Sequence, residues 1–352
     1  MRRRRSTATT TACLVLAALA GCSGGGDGSA PPAAPSGSRT PATAAATAPA
    51  PTSSASPSPS ASPVDPVSIP GLVAREHRGS GLRTTAVLAR TDAYTRYAVT
   101  YRANGLTVSG VMNVPRGRGP FPALVLAHGY IDPAVYTSGR GLAREQDLLA
   151  REGYVVLHTD YRNHAGSDRD PDNDVDLRLG YTEDTIGAVL ALRGSGRPEV
   201  DGDRIGLLGR SMGGGVVYNT LVVAPGLVDA AVVFAPVSPR PEENLEHFRR
   251  GEDDPLAEQV EAEHGSPEEN PAFWRAASPL TYVDRVTEPL LIHHGTADTV
   301  CPPRWSRRTA AAFEKAGKDV ELRMYEGEGH TFGPRWPDSM DVTLAFFGRH
   351  LR

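Results

Sequence analysis

The chain has 352 residues, a formal net charge of −4 and 39% hydrophobic residues. Once an export segment and a linker are set aside, the remaining length suits one domain, and the absence of a basic stripe argues against a nucleic-acid partner. Three cysteines are present, and two of them fall in the first 22 residues, which leaves no intrachain disulfide for the folded part.

The N-terminus opens with Arg2–Arg5, followed by the short apolar run Ala12-Cys13-Leu14-Val15-Leu16-Ala17-Ala18. That run is too short to span a bilayer as a permanent helix and reads as a signal-peptide core. Leu19-Ala20-Gly21-Cys22 follows and resembles a bacterial lipobox, so residues 1–21 are expected to be removed and Cys22 to carry lipid. Ser23 to Pro63 is almost wholly Ala, Pro, Ser, Thr and Gly. Such a segment buries too little to offset the entropy of ordering, so residues 22–65 read as a tether that reaches roughly 130 Å when extended.

Residues 66–352 carry the periodic elements. Tyr94–Tyr101 and Leu106–Val114, joined by Arg102-Ala103-Asn104-Gly105, predict a hairpin with an Asn-Gly turn at an antiparallel edge. A strand at Phe121–Ala127, a helix near Gly141–Glu152, a strand at Tyr154–Thr159 and a helix near Tyr181–Arg193 follow in alternation. Strands alternating with helices predict an α/β fold with a mostly parallel central sheet and helices on both faces. Asp168–Asp174 spaces carboxylates like a calcium loop. It has Asn173 at the sixth place and Leu179 at the twelfth, where Gly and Glu belong, so it reads as a solvated loop. No cofactor or metal is expected.

Asp203-Arg204-Ile205-Gly206-Leu207-Leu208 feeds straight into Gly209-Arg210-Ser211-Met212-Gly213. A short strand entering G-x-S-x-G predicts a nucleophile elbow, with Ser211 raised on a sharp turn before the helix Ser211–Val222. Its partners should follow in the order carboxylate, then histidine, each after a strand. Pro289–Gly295 ends in the loop of Asp298, and Val320–Tyr325 ends in the Gly-rich loop of His330. Asp298 is therefore the expected acid and His330 the expected base. His293 and His294 lie in a strand and are expected to pack, while His247 and His264 are expected to be solvated. The N–H groups of Met212 and Tyr130, the latter after His128-Gly129, are the expected oxyanion donors. Cys301, beside the acid loop, reads as a buried small residue. Between strand Ala230–Phe234 and strand Pro289–Gly295, residues 238–278 interrupt the rhythm and are expected to form a small helical lid.

Several of these segments together are similar to one family. The lead-in Asp203-Arg204-Ile205-Gly206, the stretch Ala277–Val283, the run from Leu290 to Pro302 and Gly329-His330 resemble an α/β-hydrolase, specifically the prolyl oligopeptidase (S9) catalytic domain. The resemblance covers about Pro120 to Arg352 and implies Ser211, Asp298 and His330 as a catalytic triad. It implies a serine peptidase acting on short peptides, with a carboxylesterase of the same fold as the alternative and a non-catalytic binding lipoprotein as the remote one. Family members usually carry a β-propeller ahead of this domain, and the segment before the first parallel strand is too short for one. The expected partners are a small ester or peptide substrate and, through Cys22, a membrane.

Overall fold

The computed structural model describes residues 64–249 and 255–351. The export segment, Cys22 and all but the last two residues of the tether lie outside them. The described part opens with helix α1 (Ile69–Ala74), capped by the Ser68 hydroxyl, which accepts from the Gly71 N–H at 3.0 Å.

Strands β1 (Gly79–Arg90), β2 (Tyr94–Ala103) and β3 (Leu106–Pro115) form an antiparallel meander. The β2–β3 turn uses Asn104 at φ 45° and Gly105 at φ 95°, the two positive dihedrals that a tight two-residue hairpin requires. β1 is the outer strand. Almost every residue of β1 is exposed on both faces, so its sequence carries no period-two signal to read.

The remaining elements alternate: β4 (Phe121–Ala127), α2 (Ala143–Arg151), β5 (Val155–Thr159), α3 (Gly180–Arg193), β6 (Val200–Arg210), α4 (Met212–Val223) and β7 (Ala230–Phe234). Helices α5 (Pro241–Phe248), α6 (Pro255–His264) and α7 (Pro271–Ala277) and a 3-10 helix (Pro279–Arg285) intervene. Then come β8 (Leu290–Gly295), α8 (Pro303–Lys315), β9 (Val320–Tyr325) and α9 (Trp336–His350). The strand order is β1-β2-β3-β5-β4-β6-β7-β8-β9, antiparallel as far as the β3–β5 pair and parallel from β5 to β9.

Parallel strands buried on both faces should read as continuous apolar runs, and β7 and β8 are buried at every position. Alternate residues feed two separate cores. Ala123, Val125 and Ala127 of β4 pack with α3, α4 and α8, while Leu124 and Leu126 pack with α2 and α9. This is the α/β-hydrolase arrangement expected from the sequence.

Helices α5 to α7 occupy the predicted lid and hold a small core of their own: Leu245, Ala257, Val260, Phe273 and Trp274. His264 is not solvated as expected. Its ring stacks on Phe273 at 4.4 Å and its Nε2 lies 3.2 Å from the Val175 carbonyl, because α6 folds back onto the body. His247 is exposed as expected, yet its Nε2 reaches the Val300 carbonyl at 2.9 Å.

The Asp168–Asp174 loop is also more firmly held than a solvated loop. Asp170 pairs with the buried Arg162 at 2.8 Å, Asp174 with Arg178 at 2.7 Å, and Asp168 accepts from the Thr107 N–H at 2.6 Å.

Candidate active site

Ser211 sits between the end of β6 and the first residue of α4 at φ 57° and ψ −121°. A side chain in this region of φ is strained, and the surroundings must hold it there. The Ser211 N–H donates to the Phe234 carbonyl at 3.0 Å, and the Ser211 carbonyl accepts from Gly214, Gly215 and Val237. The neighbouring glycines are required by close approach. A Cβ at Gly209 would meet the Gly213 carbonyl oxygen at 2.3 Å, and one at Gly213 would meet the Ala127 oxygen at 2.0 Å. The strand-to-helix turn closes only because both positions lack side chains.

The loops after β8 and β9 carry Asp298 and His330. His330 Nδ1 lies 2.9 Å from Asp298 Oδ2. Asp298 Oδ1 accepts from the Val300 N–H at 2.8 Å and the Cys301 N–H at 2.9 Å. Burial alone would raise the Asp298 carboxyl. Hydrogen bonds from His294, His330 and the Cys301 N–H outweigh it and hold the group well below the usual carboxylate range. Asp298 is thus a fixed anion that orients the His330 ring with its proton on Nδ1, leaving Nε2 free to accept one.

His294 was expected only to pack. Its Nε2 lies 2.9 Å from the Cys301 carbonyl and 3.1 Å from Asp298 Oδ2, and its Nδ1 lies 2.6 Å from the Ser306 hydroxyl. The buried ring braces the acid loop from beneath. Spacing held a faint signal, since His294 and Asp298 are four residues apart across the strand end. His293 does pack, between the Tyr325 hydroxyl at 2.9 Å and the Thr343 hydroxyl at 3.0 Å.

The two loops are fastened to each other. The Ala297 N–H donates to the Glu328 carbonyl at 2.9 Å, and a Cβ at Gly295 would meet that same oxygen at 2.1 Å. The Glu328 carboxylate accepts from the Arg335 N–H at 2.6 Å and also from Gly333, closing the turn around His330. Arg144 reaches the Thr331 carbonyl at 2.6 Å from α2. Sequence reasoning missed Glu328 because a buried carboxylate that binds only backbone leaves no pattern.

Ser211 Oγ lies 4.0 Å from Cys301 Sγ and is not hydrogen-bonded to His330, although both side chains open onto the same cavity. Such contacts are commonly long without substrate and tighten when it binds. Cys301 is buried, as expected. Burial, with the Asp298 charge behind it, pushes its thiol up to about 12, so it stays protonated and does not compete as a nucleophile.

The predicted oxyanion donors flank the serine. Met212 begins α4, so its N–H has no acceptor inside the helix. Tyr130 follows Gly129, whose Cβ position would lie 3.2 Å from Ser211 Cβ, so the loop runs directly over Ser211. The Arg178 guanidinium lies 4.6 Å from the Tyr130 ring centroid and holds the mouth of the site. Behind the loop, His128 is fully buried and neutral, and its Nδ1, 2.7 Å from the Gly129 carbonyl, fixes the loop. Arg210, next to Ser211, pairs with the buried Glu145, which also accepts from Trp336 Nε1 at 2.8 Å.

A sequence model of the prolyl oligopeptidase family matches residues 141–352. The chain is 26% identical over 243 residues to the uncharacterized peptidase YtmA of Bacillus subtilis, which covers 68% of this chain and 87% of that one. Among solved structures it is similar to the acylaminoacyl peptidase of Pyrococcus horikoshii. That match has 21% identity and a TM-score of 0.58 over 74% of this chain, and this chain spans 42% of that enzyme's length. It is similar as well to an acetyl xylan esterase from Paenibacillus sp. R4, with 20% identity and a TM-score of 0.60 over 80% of this chain and 92% of that one.

Proposed function

The chain belongs to the prolyl oligopeptidase family, and from that premise we propose that it is an exported, lipid-anchored serine peptidase that cleaves short peptides through an acyl-enzyme. The observation that carries this reading is His330, held by the buried Asp298, opening onto one cavity with a strained Ser211. Ser211 Oγ attacks the substrate carbonyl and forms a C–O bond while His330 Nε2 takes the hydroxyl proton. The N–H groups of Met212 and Tyr130 hold the oxyanion. The bond to the leaving amine breaks as His330 returns the proton to it. Water then attacks the acyl carbon, again through His330, and releases the carboxylic acid and the Ser211 hydroxyl.

A second reading, a carboxylesterase acting by the same steps, is favoured by one observation. The chain is similar in structure to an acetyl xylan esterase, over 80% of this chain and 92% of that one. An ester has the better leaving group, so a site built for amides also cleaves activated esters, while the reverse need not hold. Short aryl esters are therefore expected to turn over readily, with peptide amides cleaved more slowly. Parallel assays on both classes test this. Loss of all peptide turnover at enzyme levels that consume esters rapidly would leave only the esterase.

Export and anchoring rest on the sequence of residues 1–22. Each buried methylene of an attached acyl chain contributes about 0.8 kcal/mol of membrane affinity, and stable anchoring takes two chains. Cys22→Ser is expected to stop incorporation of a labelled fatty-acid analogue and move the protein out of the membrane fraction. Undiminished labelling in that variant would remove the lipobox reading.

A further inference from the structure

The cleft beside Ser211 offers about 650 Å³, within the range of small-molecule sites. Its floor is one face of α4. Met212, Gly215, Val216 and Asn219 recur at helical spacing and all line it. Asn219 lies seven helical steps beyond Met212, so the floor runs roughly 10.5 Å at the helical rise. Gly215 keeps that floor bare, since a Cβ there would come 2.7 Å from Val237 Cγ2. The lid supplies the roof through Leu245 and Val260.

Several polar groups along the walls are already paired within the protein. Ser238 and Asn244 exchange hydrogen bonds of 3.0 and 2.8 Å. Arg178 is paired with Asp174, and Arg210 with Glu145. An extended peptide would bring an N–H and a C=O per residue into this channel, and burying them without partners is costly. An alkyl chain brings none. An all-trans chain advances roughly 1.25 Å per carbon, the projection of a ~1.52 Å bond at a tetrahedral angle, so the floor matches about eight carbons.

We infer that the channel under the lid is an acyl-chain site. It takes an uncharged, unbranched acyl group of medium length, with its carbonyl at Ser211 and its methyl end at Asn219. The inference rests on the serine-hydrolase reading and favours its ester-cleaving form. It makes Asn219 and the lid residue Leu245 determinants of chain length, with no part in the bond-making steps.

The test is kcat/KM of the full-length chain on p-nitrophenyl acetate, butyrate, octanoate and dodecanoate, with fluorophosphonate labelling of Ser211 in parallel. Octanoate is expected to exceed acetate at least tenfold, with dodecanoate falling again. Asn219→Trp, which fills the far end, and Leu245→Trp, which lowers the roof, are each expected to cut the octanoate-to-acetate ratio at least tenfold. Acetate equal to or above octanoate in the unmodified chain overturns the inference, as does an octanoate preference that neither variant changes. Absence of ester turnover with Ser211 still labelled also overturns it. Absence of both turnover and labelling removes the serine-hydrolase reading, and this inference with it.

Discussion

Ser211→Ala is expected to abolish labelling by a fluorophosphonate probe and to lower kcat by about a million-fold, the scale seen when the serine of a Ser-His-Asp unit is removed. The fold should survive. Alanine at 211 keeps the backbone hydrogen bonds to Phe234, Gly214, Gly215 and Val237, and the hydroxyl makes no strong bond to lose, its contact with the Cys301 sulfur being a weak one at 4.0 Å. Residual turnover would come from the Met212 and Tyr130 N–H groups and from binding alone. The decisive measurement pairs labelling with circular dichroism. A folded variant that still labels at the wild-type rate would place the nucleophile on another serine and remove the central claim.

Asp298→Asn should reduce kcat about ten-thousand-fold while leaving the site nearly isosteric. The reason lies in the four donors around this carboxylate. The Val300 and Cys301 N–H groups need an acceptor, so the Asn oxygen takes the Oδ1 position. The amide NH₂ then faces His330 Nδ1, which must accept rather than donate. That forces the ring proton onto Nε2, the atom that has to take the serine proton. The same NH₂ confronts His294 Nε2, so some stability is lost too. Stability should also lose part of its acid dependence. Because the folded carboxyl is held low, its contribution is complete above the unfolded value of about 3.9 and is lost as pH falls through the folded value. The variant lacks that loss on acidification. Kinetics and acid-unfolding curves of the two proteins check both halves, and a kcat within tenfold of wild type would show that Asp298 does not set the tautomer.

Much of this architecture is written locally in the chain. Strands β4 and β7 fall where their apolar runs begin and end, because a doubly buried parallel strand has to be apolar throughout. The elbow is legible because its geometry admits only small residues at Gly209 and Gly213. Asp298 and His330 are legible as the one carboxylate and the one histidine of loops just past strand ends, where an α/β sheet gathers its functional side chains.

What the sequence determined by itself is the candidate residues and their order along the chain: a serine on a turn, then a carboxylate, then a histidine. Backbone conformation and strand burial are local constraints, and they mark local residue choice. Tertiary structure alone decided the contacts between segments far apart in the chain. The His294 brace, the Glu328 clamp on the histidine loop, the Arg210–Glu145 pair and the anchoring of α6 through His264 all join elements that no periodicity connects. The channel along α4 belongs to the same class. Its floor is legible as one helix face, but its roof exists only where the lid folds back over that face. A cavity is defined by surfaces brought together from separate parts of the chain, and no one of those parts records it.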